Sequence, residues 1–168
     1  TGVIGQYDAT TGTAINASLI SGFGVNQLNS IRINGGNLYV TLATGIGVYT
    51  TAGGTVNATL ITGMDAADVA FSGSSLFLVT ATTVGEYNAT TGAPINASLI
   101  TGLNNSFGIA INNSGNLAVV EFSGNRVKEY QTDGTLLNAN WITGLASPVG
   151  IDVIPEPSTF ALLGLGLG

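Results

Sequence analysis

The 168-residue chain contains no cysteine and no histidine, and only 7% of its residues are charged. Without cysteine there is no disulfide, no thiol nucleophile and no thiolate metal site. Without histidine the Ser-His-Asp and Cys-His arrangements are excluded, along with the commonest metal ligand. Carboxylates, amides, hydroxyls and a single lysine, Lys128, are what remains for chemistry. Basic residues are nearly missing too: Arg32, Arg126 and Lys128 stand against nine acidic residues, for a net charge of -6. Nucleic-acid binding needs a basic footprint to displace counterions from phosphates, so that class is set aside. The same shortage argues against an anionic membrane surface as partner. Long apolar runs are absent before residue 155, so the positive mean hydropathy does not imply an internal membrane span.

What the chain does have is 45% hydrophobic residues punctuated by 25 glycines. Disordered segments are poor in apolar residues and rich in charge, so this composition describes a folded domain. Residues 1–154 are expected to form it, and 155–168 to be a separate tail.

An internal repeat organises the domain. Tyr7-Asp8-Ala9-Thr10-Thr11-Gly12 leads to Ile15-Asn16-Ala17-Ser18-Leu19-Ile20, and the phrase returns from Tyr49, from Tyr87 and, more loosely, from Tyr130. The tyrosines are 42, 38 and 43 residues apart. Between the phrases lie two more apolar stretches per unit, such as Asp68-Val69-Ala70-Phe71 and Leu76-Phe77-Leu78-Val79. They are short, rich in Val, Ile, Thr and aromatics, and bounded by Gly, Asn and Ser, as strands are. Four short strands in a period of about 40 residues predict an all-β fold, a β-propeller of about four blade repeats or a fragment of a larger one. The stretch Ser123-Gly124-Asn125-Arg126-Val127-Lys128-Glu129-Tyr130, preceded by Gly108-Ile109-Ala110-Ile111 and Gly115-Asn116-Leu117, resembles an NHL- or YVTN-type propeller repeat. A parallel β-solenoid is the rival fold, with coils usually shorter than this period.

The tail reads differently. Pro155-Glu156-Pro157-Ser158-Thr159 runs into Phe160-Ala161-Leu162-Leu163-Gly164-Leu165-Gly166-Leu167-Gly168, which resembles the PEP-CTERM sorting signal of exported bacterial proteins. The resemblance implies an exosortase-type processing enzyme as partner, with Pro155, Glu156, Pro157 and Ser158 as its sorting motif. It also implies export to the cell surface or extracellular matrix, with membrane contact only through the tail. Phe160 to Gly168 would be the start of a membrane segment, short of the roughly 20 residues that a spanning helix needs. The positive-charge cluster of the family pattern is not there.

Few residues offer themselves as a site. Propeller lactonases and related hydrolases hold calcium by carboxylates and amides at the ring axis. That resemblance singles out Asp68, Glu121 and Asp152 as metal-ligand candidates for a hard cation. The repeated tyrosines read as packing between blades. Asn16, Asn57 and Asn96 recur at one repeat position, which favours a local backbone role over glycosylation. With so few reagents, the expected function is non-enzymatic: an exported propeller that binds extracellular polysaccharide or surface proteins, with no cofactor. One alternative is a calcium-dependent lactonase-like or lyase-like enzyme with carboxylates converging at one end of the channel. Another is a structural β protein that self-associates through exposed strand edges.

Overall fold

The computed structural model describes residues 2–153. The Pro155-Glu156-Pro157-Ser158 motif and the apolar run behind it lie outside the described residues. Among the described residues there are fourteen strands and no helix. The first sheet has two strands, β1 (Gly2–Tyr7) and β2 (Ala14–Phe23). Three four-stranded antiparallel sheets follow, each in simple sequence order. They are β3 (Leu28–Asn34), β4 (Asn37–Leu42), β5 (Gly45–Thr50) and β6 (Thr55–Thr62); then β7 (Asp68–Ser72), β8 (Ser75–Val79), β9 (Thr83–Asn88) and β10 (Pro94–Thr101); and finally β11 (Ser106–Ile111), β12 (Leu117–Glu121), β13 (Arg126–Tyr130) and β14 (Leu136–Ile142).

The turns explain the meander. Between Asn34 and Asn37 only Gly35 and Gly36 intervene, at φ 56° and 80°. Two left-handed residues in a row make the hairpin turn whose twist matches that of paired strands. The repeated asparagines act locally, as expected. Asn16, Asn57, Asn96 and Asn138 each accept, through Oδ1, the backbone N–H two residues on, at 2.9–3.2 Å. Each also sits beside a register shift in the outermost strand pair of its sheet. A side chain that satisfies the backbone there stabilises the bulge that bends the strand.

The sheets pack face against face around a common axis. The first strand β7 adjoins both β3 and β11, so each four-stranded sheet is a blade with its first strand innermost. Three apolar layers fill the spaces between successive blades. Ile20 and Phe23 meet Leu38, Val40 and Tyr49; Tyr39, Ile46 and Val48 meet Val69, Leu76, Leu78 and Tyr87; Phe77, Val79 and Val84 meet Ile109, Leu117, Val119 and Tyr130. Tyr49, Tyr87 and Tyr130 are thus interblade residues, and the phenol of Tyr39 donates to the Ala89 carbonyl of the next blade at 3.0 Å.

Close approach between blades also depends on glycine. Gly92, at φ 72°, leaves no room for a β-carbon against the Leu60 carbonyl oxygen of the preceding blade. Gly92→Ala is expected to cost about 2 kcal/mol, from the left-handed conformation together with the collision. The urea midpoint reports it, and an unchanged midpoint would show that the blades can slide apart freely.

Candidate functional site: the axial cleft

The innermost strands bring one residue of each unit to each level of the axis. The uppermost level carries Asn29, Ala67, Phe107 and Val149, all of which line a cleft of about 380 Å³. Ser30, Asp68, Gly108 and Gly150 form the next level. Arg32, Ala70, Ala110 and Asp152 lie further down and line a second cavity of about 250 Å³ at the other end.

A cross-axis brace separates the two openings. Asp68 accepts a hydrogen bond from Ser30 Oγ at 2.7 Å and pairs with Arg32 Nη2 at 2.7 Å. Its own strand and the next add the Val69 N–H at 2.9 Å and the Ile109 N–H at 3.4 Å. Arg32 Nη2 also reaches the Ile151 carbonyl at 3.3 Å. Three successive inner strands and the segment after β14 are therefore tied to one buried carboxylate.

The wider cleft has an apolar wall of Leu28, Phe107 and Val149 and a polar side of Asn29, Asp65 and Ser106. Asn29 Nδ2 donates to Asp65 Oδ1 at 3.1 Å and to the Ala66 carbonyl at 2.9 Å, which orients both side chains. Ser106 Oγ is buried without a hydrogen-bond partner among the described residues. Phe107 is held edge-on against Phe122 with ring centroids 5.5 Å apart. A concave pocket with an apolar wall facing convergent polar groups can orient a small molecule at the axis.

The three carboxylates singled out for calcium do not come together. Asp68 lies one level below the cleft, and its oxygens are taken by the brace. Glu121 ends the second strand of its blade, fully buried, with Arg126 Nε and Lys128 Nζ each 2.8 Å away and the Asn104 N–H at 3.0 Å. Asp152 is exposed and lines the opposite cavity. No group of three metal-donor side chains occurs among the described residues. Two of the candidates are already neutralised by the chain's own cations, so the set does not fit a resident calcium ion. The expectation of convergence is corrected accordingly: a carboxylate that looks free in sequence is consumed when a cation sits one blade or one strand away. Asn29, Asp65 and Ser106, which do converge, were not singled out by sequence. Their signal was position: each lies in or beside a loop that leads into an innermost strand.

No family model and no curated protein sequence matches the chain. Solved structures do. A streptogramin B lyase superposes with a TM-score of 0.65 at 15% identity, over 86% of this chain and 50% of that one. Virginiamycin B lyase from Staphylococcus aureus gives 0.64 at 18% identity, over 88% and 52%. The same enzyme with quinupristin, inactivated by replacing a histidine with alanine, gives 0.64 at 19% identity, over 86% and 50%. The fold is a β-propeller. The chain spans about half the length of the propellers it matches.

These propellers are enzymes, and that overturns the expectation of a non-enzymatic binding or structural protein. The expectation rested on the scarcity of catalytic side chains. Scarcity limits which groups can act, but a lyase on the same fold directs attention to the enzymatic alternative instead. One difference is plain: a histidine whose loss inactivates the staphylococcal enzyme has no counterpart of its kind anywhere in this chain.

Proposed function

We propose that the chain provides the blades of a lyase-like propeller enzyme whose reaction takes place in the axial cleft. The observation that supports this reading is the meeting of Asn29, Asp65 and Ser106 against the Leu28, Phe107 and Val149 wall, at the axis of a fold shared with lyases. In an elimination, a base removes a proton from the carbon beside the bond that breaks, and the electron pair left behind expels the leaving group. With no histidine, Asp65 is the base, held in place by Asn29. The Ser106 hydroxyl, lacking a partner among the described residues, is the donor for an oxygen that gains negative charge. The substrate class is a lactone or cyclic ester with an apolar substituent for the Phe107 side, and quinupristin is a first probe.

Mass spectrometry of products tests both the activity and its type. Elimination opens a ring without changing its mass, whereas a lactonase adds one water. Turnover of quinupristin or of a member of a lactone panel is expected, with products of unchanged mass. Asp65→Asn is expected to lower kcat/KM at least about 100-fold, the usual effect of losing a general base. Calcium and chelator arms check metal dependence. No turnover of any probe, or full activity in Asp65→Asn, overturns the reading.

Export belongs to the same proposal. Its support is the order of Pro155-Glu156-Pro157-Ser158 and the apolar run after it, and recovery of the native protein from the cell-surface fraction, cut near that motif, is the corresponding expectation.

A further inference from the structure

The chain has three basic side chains, and each is spent inside the fold. Arg32 pairs with Asp68 in the brace below the wider cleft, and Arg126 and Lys128 pair with Glu121, all at 2.7–2.8 Å. None of the three lines that cleft. Asp65 is the one charged residue among those that do, so the cleft carries a negative charge that no side chain among the described residues offsets. Asn29 Nδ2 holds one of its oxygens at 3.1 Å, a neutral contact that leaves the charge in place. The brace beneath does not cancel it, because Asp68 and Arg32 neutralise each other.

The rest of the lining is neutral. Leu28, Phe107 and Val149 present hydrocarbon, and Ser106 and Asn29 present uncharged polar groups. Ser106 Oγ is buried without a partner among the described residues, so the group free to receive a ligand's oxygen is a neutral donor. Such a donor suits an ester or amide carbonyl as well as a carboxylate. The charge on Asp65 is what tells the two apart. Two like charges about 4 Å apart weaken binding about 6-fold in water and about 1,000-fold at the effective dielectric of about 20 near a protein surface. Asp65 is itself exposed, and salt screens exposed charges, which sets the expected discrimination near the lower bound, at about 10-fold.

We propose that Asp65 makes the cleft selective against anions, so that it admits a neutral cyclic ester and rejects the carboxylate that ring opening produces. This rests on the reading of the cleft as a cyclic-ester site. In the elimination, Asp65 takes the proton, the C–H electron pair becomes the new double bond, and the C–O bond breaks with its pair passing to the departing carboxylate. Protonated Asp65 is neutral at that moment. Once its proton passes to water, two carboxylates share one cleft with no cation of the chain between them, and the product is expelled. Hydrolytic opening also ends in a carboxylate, so the selectivity does not depend on which type of opening takes place. Esters that carry a carboxylate or phosphate beside the reacting ring are poor substrates on the same ground.

Calorimetry with unreactive probes tests this apart from turnover. Phenyl-substituted lactones of the panel are opened by alkali to the hydroxy acid and by ammonia to the hydroxy amide, a pair alike in shape and different in charge, and both are titrated with chelator present. The amide is expected to bind the native chain about 10-fold tighter than the acid, and the gap should narrow as salt rises. Asp65→Asn removes the charge while keeping the shape, and should bring the two affinities together. Ala81→Lys, at an exposed position on the cleft wall, supplies a cation and should favour the acid instead. Equal affinities in the native chain, tighter binding of the acid, or a gap that persists in Asp65→Asn overturns the anion selectivity and leaves the cyclic-ester reading standing. Binding of neither member of any pair overturns that reading, and this inference with it.

Discussion

Replacing Glu121 by glutamine is expected to destabilise the folded chain by about 3 kcal/mol, lowering Tm by roughly 6–12 °C for a domain of this size. Glu121 is fully buried, and strand register places its partners. It lies opposite Arg126 across β12 and β13, and Lys128 projects from the same face two residues on. Two of the chain's three basic residues are thus spent on one carboxylate. Burial pushes the Glu121 carboxyl up. Lys128 and Arg126, helped by the Asn104 N–H, outweigh it and hold the carboxyl below its ordinary value. Glutamine keeps the shape but leaves two cations facing each other with no anion between them. Because the cations are partly exposed and water can reach them, the cost sits at the low end for a broken buried pair.

The pH dependence follows from that direction. A depressed folded pKa means that the unfolded chain binds the proton more readily, so the stabilisation from Glu121 is fully present above its ordinary pKa. It is lost as pH falls through the folded value. Urea midpoints for the native chain and Glu121→Gln should therefore differ most near neutrality and converge below about pH 4, near the ordinary carboxylate range. A gap that stays constant from neutral to acid pH would mean that packing, not charge, is what the substitution disturbs. Replacing Glu121, Arg126 and Lys128 together by methionine should recover much of the loss, since no charge is then left unpaired.

The blades were legible because their signals are local and repeated. Asn16, Asn57, Asn96 and Asn138 mark the same bulge four times, Gly35-Gly36 marks a hairpin, and the tyrosine phrase sets the period. Each such signal needs only neighbours along the strand to be read. The cleft was not legible for the opposite reason. Asn29, at the start of β3, and Asp65, in the loop before β7, touch across 36 residues, where no motif returns. Charge misled in a related way. Asp68 and Glu121 stand out in a chain with nine acidic residues, yet their rarity reflects the cost of burying a carboxylate without a cation, and each has one. Arg32 and Asp68 pair two strand positions out of step between adjacent blades, an offset that a repeat alignment does not display. The search for reagents was therefore drawn to the braces of the fold and away from Asp65, which no cation of the chain engages among the described residues.

Arg32→Met is expected to cost a further quantity of the same size, about 3 kcal/mol, by leaving Asp68 buried without its cation. Ser30 Oγ and the Val69 and Ile109 N–H groups would remain on the carboxylate, which keeps the cost from the top of the range. The distinctive consequence lies elsewhere. The Arg32 guanidinium also holds the Ile151 carbonyl, so its loss frees the segment after β14 from the axis, and amide exchange at Ile151, Asp152 and Val153 should quicken more than at β12 or β8. Local opening of that kind separates a tie that positions an element from one that only adds stability. Adding Asp68→Asn to Arg32→Met should return part of the lost stability, because the unpaired charge is gone, but should leave exchange at Ile151 fast, because the donor is still missing. If exchange there is unchanged in Arg32→Met, the inner segment is held by the contact of Ile151 with the last blade, and the axis does not depend on the ion pair for its closure.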